Sequence, residues 1–434
     1  MYGFLLIFAL MAFAFVAVAR RDWALYLTIL LLPSYQIRFQ IAGIPMTFLE
    51  CMILLLAVVE FAKLVMMSLR GSAKGRDEVI STRNRLLHFV RNDKPVAILI
   101  FLFLGAALIS VFTAPDQIKA AGIFKAYFFE AVLFYFLAIL IIDDEKKLST
   151  LWKILSVLVL YLSVFGIYQF ITLAYLPFNW WAVEVASRRI TSLVNHPNAL
   201  ALLVGPLLAM LVFSPEKTKL TWLTLATGTT ALYLSFSRAG WLALVVVFLA
   251  LGLLTQAQKK IIVAGVIAAT IVLLIPFSRA KLLDLARGTD LSQQNRYVLW
   301  SAATDMIKKS PLLGVGLTGF REAYKNYPLG PDRVVQNYPH NFFLNFWLEV
   351  GLLGLISMLG LLILFYKKIF LLFKSNSSPL TSSLALPAAA GMSLILLHGL
   401  VDVPYFKNDL SVLFWLIYAL PFLQFKAYQS NHSN

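Results

Sequence analysis

Apolar runs of about the length of a membrane helix, each interrupted by a few polar or charged positions, recur along most of the chain. A helix needs about 20 apolar residues to cross a bilayer. On that measure the predicted spans are 2–19, 22–33, 47–69, 95–113, 120–142, 150–176, 196–213, 220–236, 239–254, 261–276, 341–373, 384–401 and 410–427. The second is short, so roughly 12 or 13 helices cross. Between 261–276 and 341–373 lies 277–340, the longest stretch after residue 94 that is too polar for hydrocarbon. Within it, Tyr297, Trp300 and Ala303–Ile307 have helical spacing, which predicts a helix over Ser292–Lys309 with Ser292 as N-cap and Pro311 as stop. Its apolar side and Trp300 suit a helix lying on the membrane surface. Gly314, Gly316 and Gly319 predict a mobile turn after it. The spacing GVGLTG is not a dinucleotide fingerprint, because no strand–turn–helix context surrounds it.

The pattern therefore predicts an all-α fold: a polytopic membrane helical bundle, one integral domain over 1–434, with one large outer loop at 277–340 that contains short helices. Composition agrees. The chain has 434 residues, 60% hydrophobic and only 13% charged, against about a quarter charged in soluble domains. A formal charge of +16 would suggest nucleic acid in a soluble protein. Here the basic cytoplasmic loops typical of membrane proteins account for it, and no nucleic-acid partner is expected. The single cysteine, Cys51, excludes an intramolecular disulfide and any cysteine-based metal site. The N-terminal apolar run has no basic residues before it and Arg20 and Arg21 after it, which predicts a retained first span rather than a cleaved signal peptide.

Loop charge sets the orientation. The 70–94 loop holds Arg70, Lys74, Arg76, Arg83, Arg85, Arg91 and Lys94, and Lys146, Lys147, Lys217, Lys219, Lys259, Lys260, Lys374 and Lys426 follow on the same side by alternation. That side is cytoplasmic. The basic loop 277–340 is long enough to escape the charge rule and stays outside. The short outer loops are nearly free of cations, with Arg38, Lys119, Arg188, Arg189, Arg238 and Lys407 as the exceptions. Cations placed against the usual bias point to an anionic ligand on that face.

Several of these residues could carry chemistry. His340, in PHN between the polar loop and a long apolar run, is placed to act as a general base near pH 7. Asn341 and Asn345 extend polar groups down one helix face, and Glu349 follows one turn later. A carboxylate inside an apolar run is costly unless it faces protein or water; Glu349 either orients a site or locks one helix to another. Arg188 and Arg189 follow an aromatic loop, and adjacent guanidinium forks suit a pyrophosphate. A snorkelling pair at a membrane end is the plainer alternative. Arg238 sits in a very short turn close to hydrocarbon, where an unpaired cation is expensive. Arg296 heads the surface helix. His196 and His398 read as structural, with Asp402 one turn beyond His398 and in reach of it. No metal-ligand cluster, Walker motif or GxSxG elbow occurs, so neither a metal nor a nucleotide cofactor is expected, and an energy-rich substrate must bring its own leaving group.

The segments SRRITSLVNHPNALALLV, LSFSRAGWLAL, NRYVLWSAATDMIKKSPLLGVGLTGF and PHNFFLNFWLEVGLLGLI together resemble the O-antigen ligase and polymerase superfamily, over roughly residues 95–425. Where that family has NPN this chain has NHPN, which makes His196 an insertion. The resemblance implies a GT-C-like integral glycosyltransferase of the bacterial inner membrane. Such an enzyme acts on an undecaprenyl-pyrophosphate-linked glycan at the periplasmic face, with no cofactor. It further implies that Arg188 or Arg189, with Arg238, holds the donor pyrophosphate, and that His340 is the base. Arg296, Asn341, Asn345, Glu349 and Asp402 are supporting candidates. Single displacement would invert the anomeric centre. Three activities compete: ligation of the glycan to lipid A–core, polymerisation of lipid-linked repeat units, and lipid or polysaccharide transport. A relative that glycosylates protein Ser or Thr is a further member of the enzyme group. Motif order and moderate length resemble the ligase branch, with membrane lipids, a lipid-linked glycan donor and a lipid A–core or other glycan acceptor as partners.

Overall fold

The computed structural model describes residues 2–41, 43–70, 93–181, 188–254, 283–284, 287–374 and 383–425. Helices dominate these residues. They run α1 (Tyr2–Ala19), α2 (Arg21–Leu30), α3 (Phe48–Arg70), α4 (Lys94–Phe112), α5 (Gln117–Ile123) and α6 (Glu130–Ile141), then α7 (Glu145–Thr172), α8 (Pro197–Phe213), α9 (Lys219–Leu234) and α10 (Arg238–Leu254). After the long loop begins come α11 (Leu291–Lys309), α12 (Gly319–Tyr324), α13 (Phe342–Lys374), α14 (Ala385–Gly399) and α15 (Asn408–Ala419). Every predicted span that falls on described residues is helical, and 261–276 lies outside them. The protein is an all-α, multi-pass membrane protein. Helix α2 has only 10 residues, or about 15 Å of rise, which is half the hydrocarbon thickness. It is too short to cross by itself.

The bundle is built from paired helices: α4 packs on α13 and α8 on α14 antiparallel, whereas α7 packs on α9 and α6 on α15 in parallel. One buried apolar cluster runs from Phe13 to Leu423. Its centre is aromatic. Phe103, Phe128, Phe346, Tyr405 and Trp415 meet with ring centroids 5.1–6.1 Å apart, in the tilted and edge geometries that the ring quadrupoles favour.

Three departures from regular helix shape the outer end. Between α5 and α6, Phe124–Phe129 is a π-helical segment, a wide turn that leaves backbone groups needing other partners. The Tyr127 carbonyl accepts from the Tyr405 hydroxyl at 2.8 Å. A small hairpin, β1 (Arg38–Ile41) paired antiparallel with β2 (Ile44–Thr47), turns at Gly43 and adds strand that the apolar pattern did not predict. Helix α13 is broken at Gly351, whose φ of 75° and ψ of 178° belong to glycine alone. Within a membrane such a break survives only if protein satisfies the freed backbone. Here Val315 N–H donates to the Leu348 carbonyl at 2.7 Å and Leu352 N–H to the Leu312 carbonyl at 2.9 Å.

Those bonds correct the reading of the glycine turn. Gly314 and Gly316 have positive φ, but they do not form a mobile hinge. A Cβ on Gly314 would stand 2.1 Å from the Leu348 carbonyl oxygen, and one on Gly316 2.7 Å from Ala114 backbone. The glycines let the loop press against α13 and the end of α4. The surface-helix expectation also changes. Leu299, Ala302, Ala303, Met306 and Ile307 of α11 pack on Phe320, Tyr324 and Leu348, so its apolar face is buried on protein rather than laid on lipid. Its N-cap is Asp290, which accepts from Gln293 N–H at 3.0 Å, and not Ser292.

Candidate active site

Helix ends on one side of the bundle surround a cavity of 760 Å³. Its lining includes charged residues and a histidine from six separate parts of the chain. Arg38 comes from the hairpin, Lys119 from α5, Arg189 from the segment before α8, Arg296 from α11, His340 from the turn into α13, and Asp402 and Lys407 from the loop between α14 and α15. Four of the six short-loop cations that break the charge bias (Arg38, Lys119, Arg189 and Lys407) thus converge on one space. They share one side of the bundle and one cavity, although they are scattered in sequence.

His340 has a φ of 51°, a left-handed conformation that a histidine adopts at an energetic cost. That turn swings its ring against Tyr338, with centroids 4.9 Å apart, and brings Nδ1 within 3.2 Å of Asp402 Oδ1. The partner was expected to be His398. Instead His398 Nε2 lies 3.4 Å from the Ser237 hydroxyl, and Asp402 bonds His340. Asp402 is 3% exposed. Its Oδ1 also accepts from Val403 N–H at 2.9 Å and its Oδ2 from Asn198 Nδ2 at 3.3 Å. Burial pushes its carboxyl up, but the His340 bond and charge outweigh that and hold it below the usual carboxylate range. An ionised Asp402 accepts a hydrogen bond from Nδ1–H, which keeps the proton on Nδ1 and leaves Nε2 as the imidazole's acceptor. Among the described residues Nε2 has no hydrogen-bond partner, while the residue lines the cavity.

The loop that carries Asp402 is held by two of the supporting candidates. Asn341 Nδ2 donates to the Leu400 carbonyl at 2.9 Å, and Arg296 Nε to the Val401 carbonyl at 2.8 Å. The Asn341 carboxamide oxygen accepts from Leu344 N–H at 3.0 Å and so caps α13. Gly399 makes the approach possible, since a Cβ there would lie 3.0 Å from Phe342 Cβ.

The arginine pair separates. Arg189 Nη2 donates to Asn198 Oδ1 at 2.7 Å, its Nε to the Ser235 carbonyl at 2.9 Å, and its guanidinium lies 5.3 Å from the Trp180 ring centre. Burial and the nearby Arg238 push it down to about 10, so it stays cationic at neutral pH. Arg188 does not line the cavity; it bonds the Phe170 and Trp181 carbonyls and lies over the Phe170 ring. Arg238 does not line it either. Its Nη1 is 2.7 Å from Asp290 Oδ2, which ties the start of α10 to the cap of α11. Arg189, Asn198, Asp402 and His340 therefore form one hydrogen-bonded line from cation to imidazole.

His196, the insertion, caps α8: its Nδ1 accepts from Asn198 N–H at 3.1 Å and its ring meets Trp180 edge-on. Burial and Arg189 push it down to about 4, which suits a neutral cap. Asn345 and Glu349 both face the cavity. Sequence reasoning gave no role to Asn198, Asn295 or Arg321; the first links Arg189 to Asp402, and the other two line the cavity, Asn295 Oδ1 accepting from Asp332 N–H at 3.1 Å and Arg321 Nη1 donating to Asn337 Oδ1 at 2.7 Å. A lone asparagine in the first turns of a helix carries no distinguishing sequence signal. Among the described residues no three His, Cys, Asp or Glu side chains group as metal ligands would.

With six basic side chains and three carboxylates around it, the cavity favours an anionic ligand beside a base. No curated protein matches the chain. Residues 223–359 match a family model described as O-Antigen ligase. The matched segment includes Arg238, Arg296, His340, Asn345 and Glu349, whereas Arg189 and Asp402 lie outside it. The match covers less than half of the chain; over it, this multi-pass helical bundle with its cavity is similar to O-antigen ligase proteins, which supports a membrane glycan function of ligase or polymerase type.

Proposed function

We propose that this protein transfers a glycan from undecaprenyl pyrophosphate to lipid A–core, at the periplasmic face of the bacterial inner membrane. One observation carries the reading: His340 and Asp402, 62 residues apart in sequence, meet at 3.2 Å in a cavity that Arg189 and Arg296 also line. An acceptor hydroxyl oxygen attacks the anomeric carbon, His340 Nε2 takes its proton, and the bond from that carbon to the pyrophosphate oxygen breaks. The electron pair leaves with the lipid diphosphate, and the anomeric centre inverts. Guanidinium groups suit this because charge grows on the departing oxygens as the bond lengthens. Arg189 and Arg296 hold the diphosphate directly, while Arg238 adds its field from behind them. The buried Asp402 fixes the tautomer of His340 and stabilises the imidazolium that forms.

Polymerisation of lipid-linked repeat units uses the same donor chemistry and differs in the acceptor. The test is the surface glycan of a deletion strain complemented with wild-type or His340→Ala protein. Free lipid A–core with lipid-linked polymer accumulating supports ligation, and its persistence with His340→Ala supports the base. A core carrying one repeat unit would reassign the protein to polymerisation. Unchanged lipopolysaccharide, or full complementation by His340→Ala, would overturn the proposal.

A further inference from the structure

Below His340 the cavity continues along α13. Asn345 lies four residues past Asn341, roughly 6 Å of helix rise, and Glu349 lies one turn further. Asn345 is 0% exposed, yet neither its Nδ2 nor its Oδ1 has a hydrogen-bond partner. A buried carboxamide left without partners on both atoms is costly, and native proteins rarely tolerate it without a reason. Its face of the helix opens on the cavity, as does Glu349, which is 6% exposed. Tyr127, from the π-helical segment, and Phe406 line the same cavity. A donor, an acceptor and a carboxylate in one cavity with aromatic side chains match the surface of a sugar ring, whose hydroxyls both give and accept hydrogen bonds and whose C–H faces are apolar.

We propose that Asn345 and Glu349 form the subsite for the acceptor sugar, binding the hydroxyls next to the one that His340 deprotonates. The placement follows from the helix: base and subsite share α13 and its turn, whereas Arg189 and Arg296 approach from the segment before α8 and from α11. Asn345 gives one hydrogen bond from Nδ2 and takes one at Oδ1, which only a group with both capacities can satisfy. Glu349 accepts from a deeper hydroxyl. Asn345 and Glu349 are positioning residues: they fix the ring so that one hydroxyl reaches Nε2. This subsite rests on the glycan-transfer reading above.

The test uses full-length protein in detergent with an undecaprenyl-pyrophosphate oligosaccharide donor and lipid A–core as acceptor. Asn345→Leu keeps the shape and removes both polar atoms. Because those atoms bond nothing in the protein, its thermal midpoint should hold or rise, while the acceptor KM rises about tenfold or more and kcat stays within about threefold. Glu349→Gln, tested alongside, should raise the same KM and leave the donor KM alone. An acceptor KM within about twofold of wild type in both variants would mean that water alone fills the recess, and would overturn the subsite. A lowered midpoint or failure of Asn345→Leu to accumulate would overturn it too, since that result makes Asn345 a brace of the fold. The parent reading fails separately, if wild-type protein transfers nothing to lipid A–core or His340→Ala transfers normally.

Discussion

Asp402→Asn is a demanding perturbation of the site, because it keeps the shape and changes one atom. In the native protein both carboxylate oxygens accept: Oδ1 from His340 Nδ1 and Val403 N–H, Oδ2 from Asn198 Nδ2. The amide cannot reproduce this. With its oxygen at the Oδ1 position, its NH2 group confronts the Asn198 NH2; turning Asn198 over would then set that NH2 against Arg189 Nη2, which donates to Asn198 Oδ1 at 2.7 Å. With its oxygen at the Oδ2 position, its NH2 faces His340 Nδ1 and Val403 N–H. That forces the proton onto Nε2, where the base needs a lone pair. The charge is lost in either case. At 3.2 Å two unit charges attract by about 5 kcal/mol at an effective dielectric near 20. His340 is 24% exposed, so the net value should lie nearer the 1.5–3 kcal/mol or so of a charge-assisted bond. At about 1.4 kcal/mol per decade, kcat should fall roughly 10- to 150-fold. Single-turnover transfer by purified protein would measure it, with the donor KM as control. The double variant His340→Ala, Asp402→Asn should be no slower than His340→Ala alone, because residues acting as a unit are not additive. A kcat within about twofold of wild type, or losses that simply multiply, would refute the dyad.

The remaining predictions concern the cations, the backbone and pH. Arg189→Ala should raise the donor KM by roughly 10-fold or more, consistent with loss of a charge-assisted contact, whereas Arg188→Ala should transfer at near wild-type rate; equal losses in steady-state assays would put both in the site. Gly351→Ala places a side chain on a backbone with φ of 75° and a Cβ 2.6 Å from the Leu312 carbonyl oxygen, at a conformational cost of about 1–3 kcal/mol before the clash. Its thermal midpoint in detergent should drop by several degrees, and an unchanged midpoint would refute the packed-break reading. The Asp402 carboxyl titrates lower folded than unfolded, so the unfolded chain binds more protons as pH falls. The stability Asp402 contributes is fully present above pH ~4 and is lost progressively below it. Melting curves between about pH 2 and 5 should show that loss, and Asp402→Asn should remove part of the slope.

The sequence by itself determined the all-α, multi-pass membrane class and where the described helices lie, because hydrocarbon imposes a length on each apolar run. It also singled out His340 and the outer cations, since both break a local rule. Tertiary structure decided which of them meet. Arg188 and Arg189 are adjacent in sequence and equivalent in chemistry, yet successive residues of an irregular segment face different ways, and only Arg189 reaches the cavity. Helical spacing paired Asp402 with His398, but α14 ends at Gly399, so the one-turn relation never forms and the carboxylate is free to meet His340 from another helix. The glycine turn read as flexible because a sequence shows φ freedom but not close approach; Leu348 and Ala114, which press on it, are separated from it by tens to hundreds of residues. Local chemistry is written along the chain, and the contacts that give it partners come from packing between segments far apart in sequence.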